Sequence, residues 1–100
     1  MRILAPSTLK AFWEANPEYQ DAKEPTLVWH RHALHADWRS PAEVKQGFRN
    51  VSILKDGRVV LNIAGNKYRL IVWINYAYRV VYIRFIGTHA QYDRIDVQTI

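Results

Sequence analysis

From Asn50 onward the chain changes its hydrophobic period, from the three-to-four spacing of helices to alternating or continuous runs of β-branched and aromatic residues. This switch admits few folds: helices come first, then a run of strands with connections too short for helical crossovers. Strands are read at 51–54, 58–64, 67–75 and 79–86. Lys55-Asp56-Gly57 supplies the first turn and Gly65-Asn66 a tight hairpin, where Gly and Asn accept the positive φ such turns need. The expected architecture is α+β, with N-terminal helices packed on one face of a twisted antiparallel sheet of about four strands and a short C-terminal helix or tail over 89–97.

The helical half is less regular. Leu9, Phe12 and Trp13 recur at i, i+3 and i+4 after a capping Ser7 or Thr8, and Asn16-Pro17 stops that helix. A second helical stretch, 18–36, carries Leu27, Val28, Arg31, Leu34 and Trp38 as its apolar face and its extension, with Pro25 interrupting near the start. Ser40-Pro41-Ala42-Glu43 has capping-box spacing and reads as a turn at most, ended by Gly47. One hundred residues make one domain, 1–100, large enough to bury a core. Without cysteine, disulfides, thiolate metal sites and a thiol nucleophile are excluded, which fits a reducing cytoplasm. The first residues are too soon interrupted by Pro6 for a signal peptide, and no apolar run approaches the ~20 residues that span a bilayer, so a cytoplasmic protein is expected.

Charge is distributed unevenly. Gly57 to Tyr92 contains no aspartate or glutamate yet carries Arg58, Lys67, Arg69, Arg79, Arg84 and His89, while seven of the nine acids precede it. The net charge is +5 and the pI near 9.7. A sheet built from this stretch presents guanidinium and ammonium groups among aromatics, a surface suited to phosphate and therefore to nucleic acid. A solvated basic face without a dedicated ligand is the plainer reading.

Hairpin geometry suggests which side chains share a face. A turn at Gly65-Asn66 sets Asn62 opposite Arg69, and a loop over 75–78 sets Ile74 opposite Arg79 and Arg69 opposite Arg84. Val59, Leu61, Leu70, Val72, Ile74, Val81 and Ile83 then form the core face, and Lys67, Ile71, Trp73, Val80, Tyr82 and Ile86 join the arginines. Two opposed arginines repel unless an anion lies between them or they splay into water. A bridging phosphate is the sharper alternative. His89 follows the last strand with Tyr92 three residues on, so both side chains share one side of a helical turn. Such a pair can move protons near neutral pH and cleave RNA without metal, by attack of the ribose 2′-OH on the adjacent phosphate, with arginines stabilising the phosphorane. A histidine bonded to backbone at a helix start is the alternative for His89. His32 and His35 lack a clear third ligand beyond Asp37, so no metal is expected. Trp13, Trp29 and Trp38 are assigned to the core, whereas Trp73 and Tyr82 fall on the basic face.

The strings Gly65-Asn66-Lys67-Tyr68-Arg69-Leu70 and Gly87-Thr88-His89-Ala90-Gln91-Tyr92-Asp93, specific as a pair, resemble the HigB family of bacterial toxins, a branch of the RelE-like mRNA interferases. The likeness covers the last fifty residues and is supported by Trp38 with Ser40-Pro41; the first helix fits in kind only. It implies a RelE-like fold and a toxin of a type II toxin–antitoxin system that cleaves mRNA on the translating ribosome, without metal or small-molecule cofactor. It also implies neutralisation by a helix-turn-helix antitoxin of the HigA type. The arginine of the Tyr-Arg-Leu strand, Arg69, would hold the scissile phosphate. His89 stands where the RelE branch has an arginine, which leaves open whether His89 carries a proton or only contacts phosphate, and makes Tyr92 an alternative acid or base. The expected catalytic set is Arg69, Arg84, His89 and Tyr92, with Lys67, Asn62, Arg58, Arg79, Trp73 and Tyr82 binding RNA. A non-catalytic RNA- or ribosome-binding module and a gyrase-directed toxin like the ParE relatives are the competing functions.

Overall fold

The computed structural model describes residues 1–48 and 50–100. Its elements run β1 (Arg2–Leu4), α1 (Pro6–Ala15), a 3₁₀ segment (Pro17–Ala22), α2 (Lys23–His35), α3 (Pro41–Gly47), β2 (Val51–Ile53), β3 (Arg58–Ile63), β4 (Tyr68–Asn75), β5 (Val80–Thr88) and α4 (His89–Tyr92). The α+β order matches expectation. The sheet has five strands in the order β1-β5-β4-β3-β2 and is mixed, because β1 pairs parallel to β5 while the other pairs are antiparallel. The expected four-stranded antiparallel sheet lacked β1. Three residues are too few for alternation to be seen, and Ile3 is buried by pairing with the distant Val81.

The helical elements follow local rules. Asn16 Oδ1 caps the 3₁₀ segment through the Glu18 amide at 3.1 Å. The single stretch expected over 18–36 is therefore two elements. Pro25 sits in the first turn of α2, where a missing N–H costs no helical bond. Ser40 Oγ accepts from the Glu43 amide at 3.4 Å, as its spacing suggested, and starts a true helix of seven residues where only a turn was expected. The N-terminal amine donates to the carbonyls of Leu34 and Ala36 at 3.2 and 2.6 Å, tying β1 to the end of α2.

All helices but α4 pack on one face of the sheet. Leu9, Trp13, Ala22, Trp29, Ala33, Trp38 and Val44 meet Val59, Leu61, Ile63, Tyr68, Leu70, Val72, Ile74, Val81 and Ile86 in one cluster. The three tryptophans assigned to the core lie there. Alternation along β4 sends Arg69, Ile71 and Trp73 to the other face.

The β3–β4 register agrees with the sequence reading, with Asn62 opposite Arg69 and Lys67 N–H bonded to the Ala64 carbonyl at 3.2 Å. The β4–β5 register does not. Asn75 pairs with Val80, and a bulge between Ile71 and Val72 adds a further step, so Arg69 faces Gly87 and Arg84 falls in the bulge. Beyond the bulge the sides of β5 exchange: Ile86 turns into the core and Phe85 pairs with Ile71 on the open face. Below it, Tyr82 keeps its expected face but pairs with Trp73, where the expected register set Val80.

Leu70 has no exposed surface and lies in the middle of the central strand. Leu70→Ala is expected to cost about 3 kcal/mol through lost burial and the cavity left behind, measured by urea unfolding with an unchanged m-value.

Candidate active site on the open sheet face

The acid-free stretch does not stay unpaired in three dimensions, because the helical half brings acids to it. Asp21 of the 3₁₀ segment accepts from both Lys67 Nζ and the Tyr68 hydroxyl, and Asp37 accepts from Arg79 Nε at 2.6 Å. Arg79 also donates to the Tyr76 carbonyl. Arg58 gives Nε and Nη2 to the carbonyl of Ile100 at 3.2 and 3.1 Å. Three of the residues expected to bind RNA, Lys67, Arg79 and Arg58, are thus engaged within the protein. Arg69, Arg84 and His89 have no acidic partner among the described residues.

Arg69 is half-buried and clasped from two sides. Its Nη1 donates to Asn62 Oδ1, and its guanidinium lies 5.5 Å from the centroid of the Tyr92 ring. Asn62 therefore holds the arginine in place. Gly87, directly opposite Arg69, is buried and lacks a side chain that would crowd it. A Cβ there would come within 2.5 Å of Phe85 Cζ and 2.6 Å of Gln91 Oε1.

The turn that carries His89 and Tyr92 is fixed by a capping box. Thr88 Oγ1 accepts from the Gln91 amide at 3.2 Å and Gln91 Oε1 accepts from the Thr88 amide at 2.9 Å. Thr88-His89-Ala90-Gln91 spells that box in the sequence, so this signal was available there. Two nitrogens at the site, Arg69 Nε and His89 Nε2, are buried without a hydrogen-bond partner. An unpaired buried donor costs about 1–3 kcal/mol, and both nitrogens belong to elements that meet at the Arg69–Tyr92 contact. Strand β4 thus brings one fixed cation against the short helix that carries the imidazole, an association that suits an anion carrying a transferable proton nearby.

Arg84 lies apart from this group. It is exposed, and its guanidinium carbon stands 5.9 Å from the Trp73 centroid and 5.7 Å from that of Tyr82. The expected opposition of Arg69 and Arg84 is replaced by two separate cations on one face, since the bulge moves Arg84 out of the row. A cavity of about 670 Å³ lined by Leu9, Trp13 and Leu27 lies on the helical side and contains none of the residues of this face. His32 packs on Trp38 and Phe48, and no cluster of three metal-ligating side chains occurs among the described residues.

The structure adds Asp21 to the sequence reading. Its bonds from Lys67 and then Tyr68 hold its carboxyl below the usual 3.8, and Lys67 is raised above 10.5 by the same contact. Burial, followed by the bond to Asp21, raises the Tyr68 hydroxyl above 10.0. A lowered carboxyl stabilises the fold above its unfolded value and ceases to do so as pH falls through its folded one; a raised lysine does so below its unfolded value and ceases above. The stability difference between wild type and Asp21→Asn is therefore expected to be flat from about pH 5 to about pH 9 and to shrink outside that window, measured by urea unfolding at each pH.

Gly87→Ala pushes on Gln91 Oε1 and so opposes the capping box. The expected result is a loss of about 1 kcal/mol and faster hydrogen exchange at the Gln91 amide, with β3–β4 amides unchanged.

A family profile described as HigB_toxin, RelE-like toxic component of a toxin–antitoxin system, matches residues 22–95. The mRNA interferase HigB of Escherichia coli O6:H1 is 31% identical over 61 residues, covering 59% of this chain and 59% of that protein. The chain thus aligns with less than two thirds of that relative's length.

Proposed function

Because the chain belongs to the HigB family of RelE-like toxic components of toxin–antitoxin systems, we propose that it is an endoribonuclease that cleaves mRNA at the Arg69, His89 and Tyr92 site. The observation that carries this reading is the pair of unpartnered buried nitrogens, Arg69 Nε and His89 Nε2, beside an arginine already clasped by Asn62 and Tyr92. The relative's name, an mRNA interferase, supports RNA as the substrate. No helix among the described residues is long and apolar enough to cross a membrane. The chain is taken as one domain acting in the cytoplasm on ribosome-bound mRNA, with a helix-turn-helix antitoxin as its neutralising partner.

The reaction needs only groups on this face. A base removes the proton of the ribose 2′-OH, the oxygen attacks the adjacent phosphorus, and an acid protonates the departing 5′-oxygen, leaving a 2′,3′-cyclic phosphate and a 5′-hydroxyl. In this reading Arg69 takes up the charge that grows on the phosphorane. Since Asn62 and Tyr92 hold it beforehand, little reorganisation is needed at the moment of reaction. His89 serves as one proton carrier; Tyr92, on the same turn and over the Arg69 guanidinium, is the other.

The test is induced expression of the wild-type chain and of Arg69→Ala and His89→Ala, with mapping of new 5′ ends on cellular mRNA. Codon-phased cuts from wild type, reduced at least ~100-fold in each variant while both remain folded, are expected. Growth arrest with intact mRNA and damaged DNA would instead indicate a gyrase-type target.

A further inference from the structure

Arg84, Trp73 and Tyr82 form a second feature on the open face, at the end of the sheet away from His89. Trp73 is fixed from behind: its Nε1–H donates to the Asp56 carbonyl in the β2–β3 turn. Gly57 makes that approach possible. Its φ is +82°, and a Cβ there would meet Ile74 O at 2.8 Å and Trp73 Nε1 at 3.0 Å. Tyr82 faces Trp73 across the β4–β5 ladder, with ring centroids 5.2 Å apart and planes inclined by 37°. The bulge then delivers Arg84 over both rings.

Trp73 differs from the other tryptophans. Trp13, Trp29 and Trp38 are 4%, 3% and 6% exposed and belong to the core, whereas Trp73 is half-open and outside it. Burying an indole in the core needs no ligand to explain it. Holding one rigid on a solvent-facing surface, under an arginine with no acidic partner, calls for a planar or anionic one.

We propose that Trp73, Tyr82 and Arg84 form a nucleobase-stacking subsite, which holds a base of single-stranded RNA next to the nucleotide whose phosphate Arg69 binds. The assignment rests on RNA being the ligand of this face, and it gives Arg84 a stacking role in place of a phosphorane contact. Spacing supports it in two ways. Trp73 is four residues from Arg69 along β4, a rise of about 13 Å, which places the platform beside neighbouring nucleotides rather than at the scissile phosphate. The Arg84 guanidinium stands 5.7 to 5.9 Å from the ring centroids, wider than direct contact. A base between two stacking partners needs about 7 Å, so an outward movement of Arg84 by about 1 Å makes a sandwich. Arg84 is exposed, which leaves that movement free. The base would be gripped between an aromatic face and a guanidinium plane, both sequence-tolerant partners.

The test uses the full chain with an arginine-independent readout. Single-stranded oligoribonucleotides, and oligomers of the same length with abasic ribose, are titrated at low salt while tryptophan emission is followed. Quenching by the base-bearing oligomer and not by the abasic one is expected, with the quench absent in Trp73→Phe although binding is kept. Trp73→Ala should weaken binding of the base-bearing oligomer about tenfold and leave the abasic oligomer unaffected. Arg84→Lys, which keeps the charge and loses the plane, should weaken it by a smaller factor in the same selective way. Equal affinity for both oligomers, or an Arg84→Lys variant identical to wild type, overturns the stacking subsite while RNA binding and cleavage stand. Absence of any RNA binding by wild type, together with intact mRNA in cells, overturns the functional reading as well.

Discussion

The bond from the Tyr68 hydroxyl to Asp21 sets the orientation of the central strand, and the site depends on it. Tyr68 has no exposed surface and packs edge-on against Phe12 and Tyr19, whose rings stack on each other at 4.5 Å. A buried phenol without an acceptor would be costly, and Asp21 removes that cost from the adjoining 3₁₀ segment. With Tyr68 held toward the helices, the two-residue period of a strand leaves Arg69 no choice but the open face. The same carboxylate takes Lys67, so one acid both seats the strand and draws away a cation that would otherwise compete with Arg69.

Much of this was legible from residue order. The change of period at Asn50, the place of the β3–β4 hairpin, the Asn62–Arg69 pairing and the core side of β3 and β4 are all local or nearest-neighbour properties, and local patterns carry them, although the positive φ values of the hairpin fall on Ala64 and Gly65 and not on Asn66. The β4–β5 register was not. A bulge is an insertion in pairing rather than in sequence, and no special residue marks the Ile71–Val72 step. The loop placement moved β5 by an even step and preserved sidedness at Tyr82, but the bulge added an odd one and reversed it at Phe85 and Ile86. Likewise, the acids that neutralise Lys67 and Arg79 lie more than forty residues away in sequence, so a charge plot along the chain overstated the positive surface.

What remains after those pairings is a more selective surface than composition implied. Arg58 is committed to the Ile100 carbonyl, Lys67 to Asp21 and Arg79 to Asp37. Surface ion pairs contribute little stability individually, yet they decide where a phosphate can bind: Lys67 and Arg79 are partly neutralised by carboxylates, while Arg58 keeps its charge but is geometrically committed. Arg69 is also bonded, but to a neutral amide and an aromatic ring, neither of which cancels its charge.

On the proposed reading, that difference separates anchoring from function on this face. Arg69 Nε and His89 Nε2 are left without partners where strand and terminal helix meet, although each orphan carries a free-energy penalty. Other unpartnered groups are Trp29 Nε1 and the Tyr76 hydroxyl, on residues in or against the helix-covered core, and Oγ1 of the buried Thr26 in α2. Arg69 sits opposite the side-chain-free Gly87, and His89 begins the helix whose Tyr92 ring covers the clasped guanidinium. A bound phosphate would satisfy the arginine donor, and a 2′-hydroxyl or leaving oxygen the imidazole, so the groups that are unsatisfied in the free protein are those the proposed reaction uses.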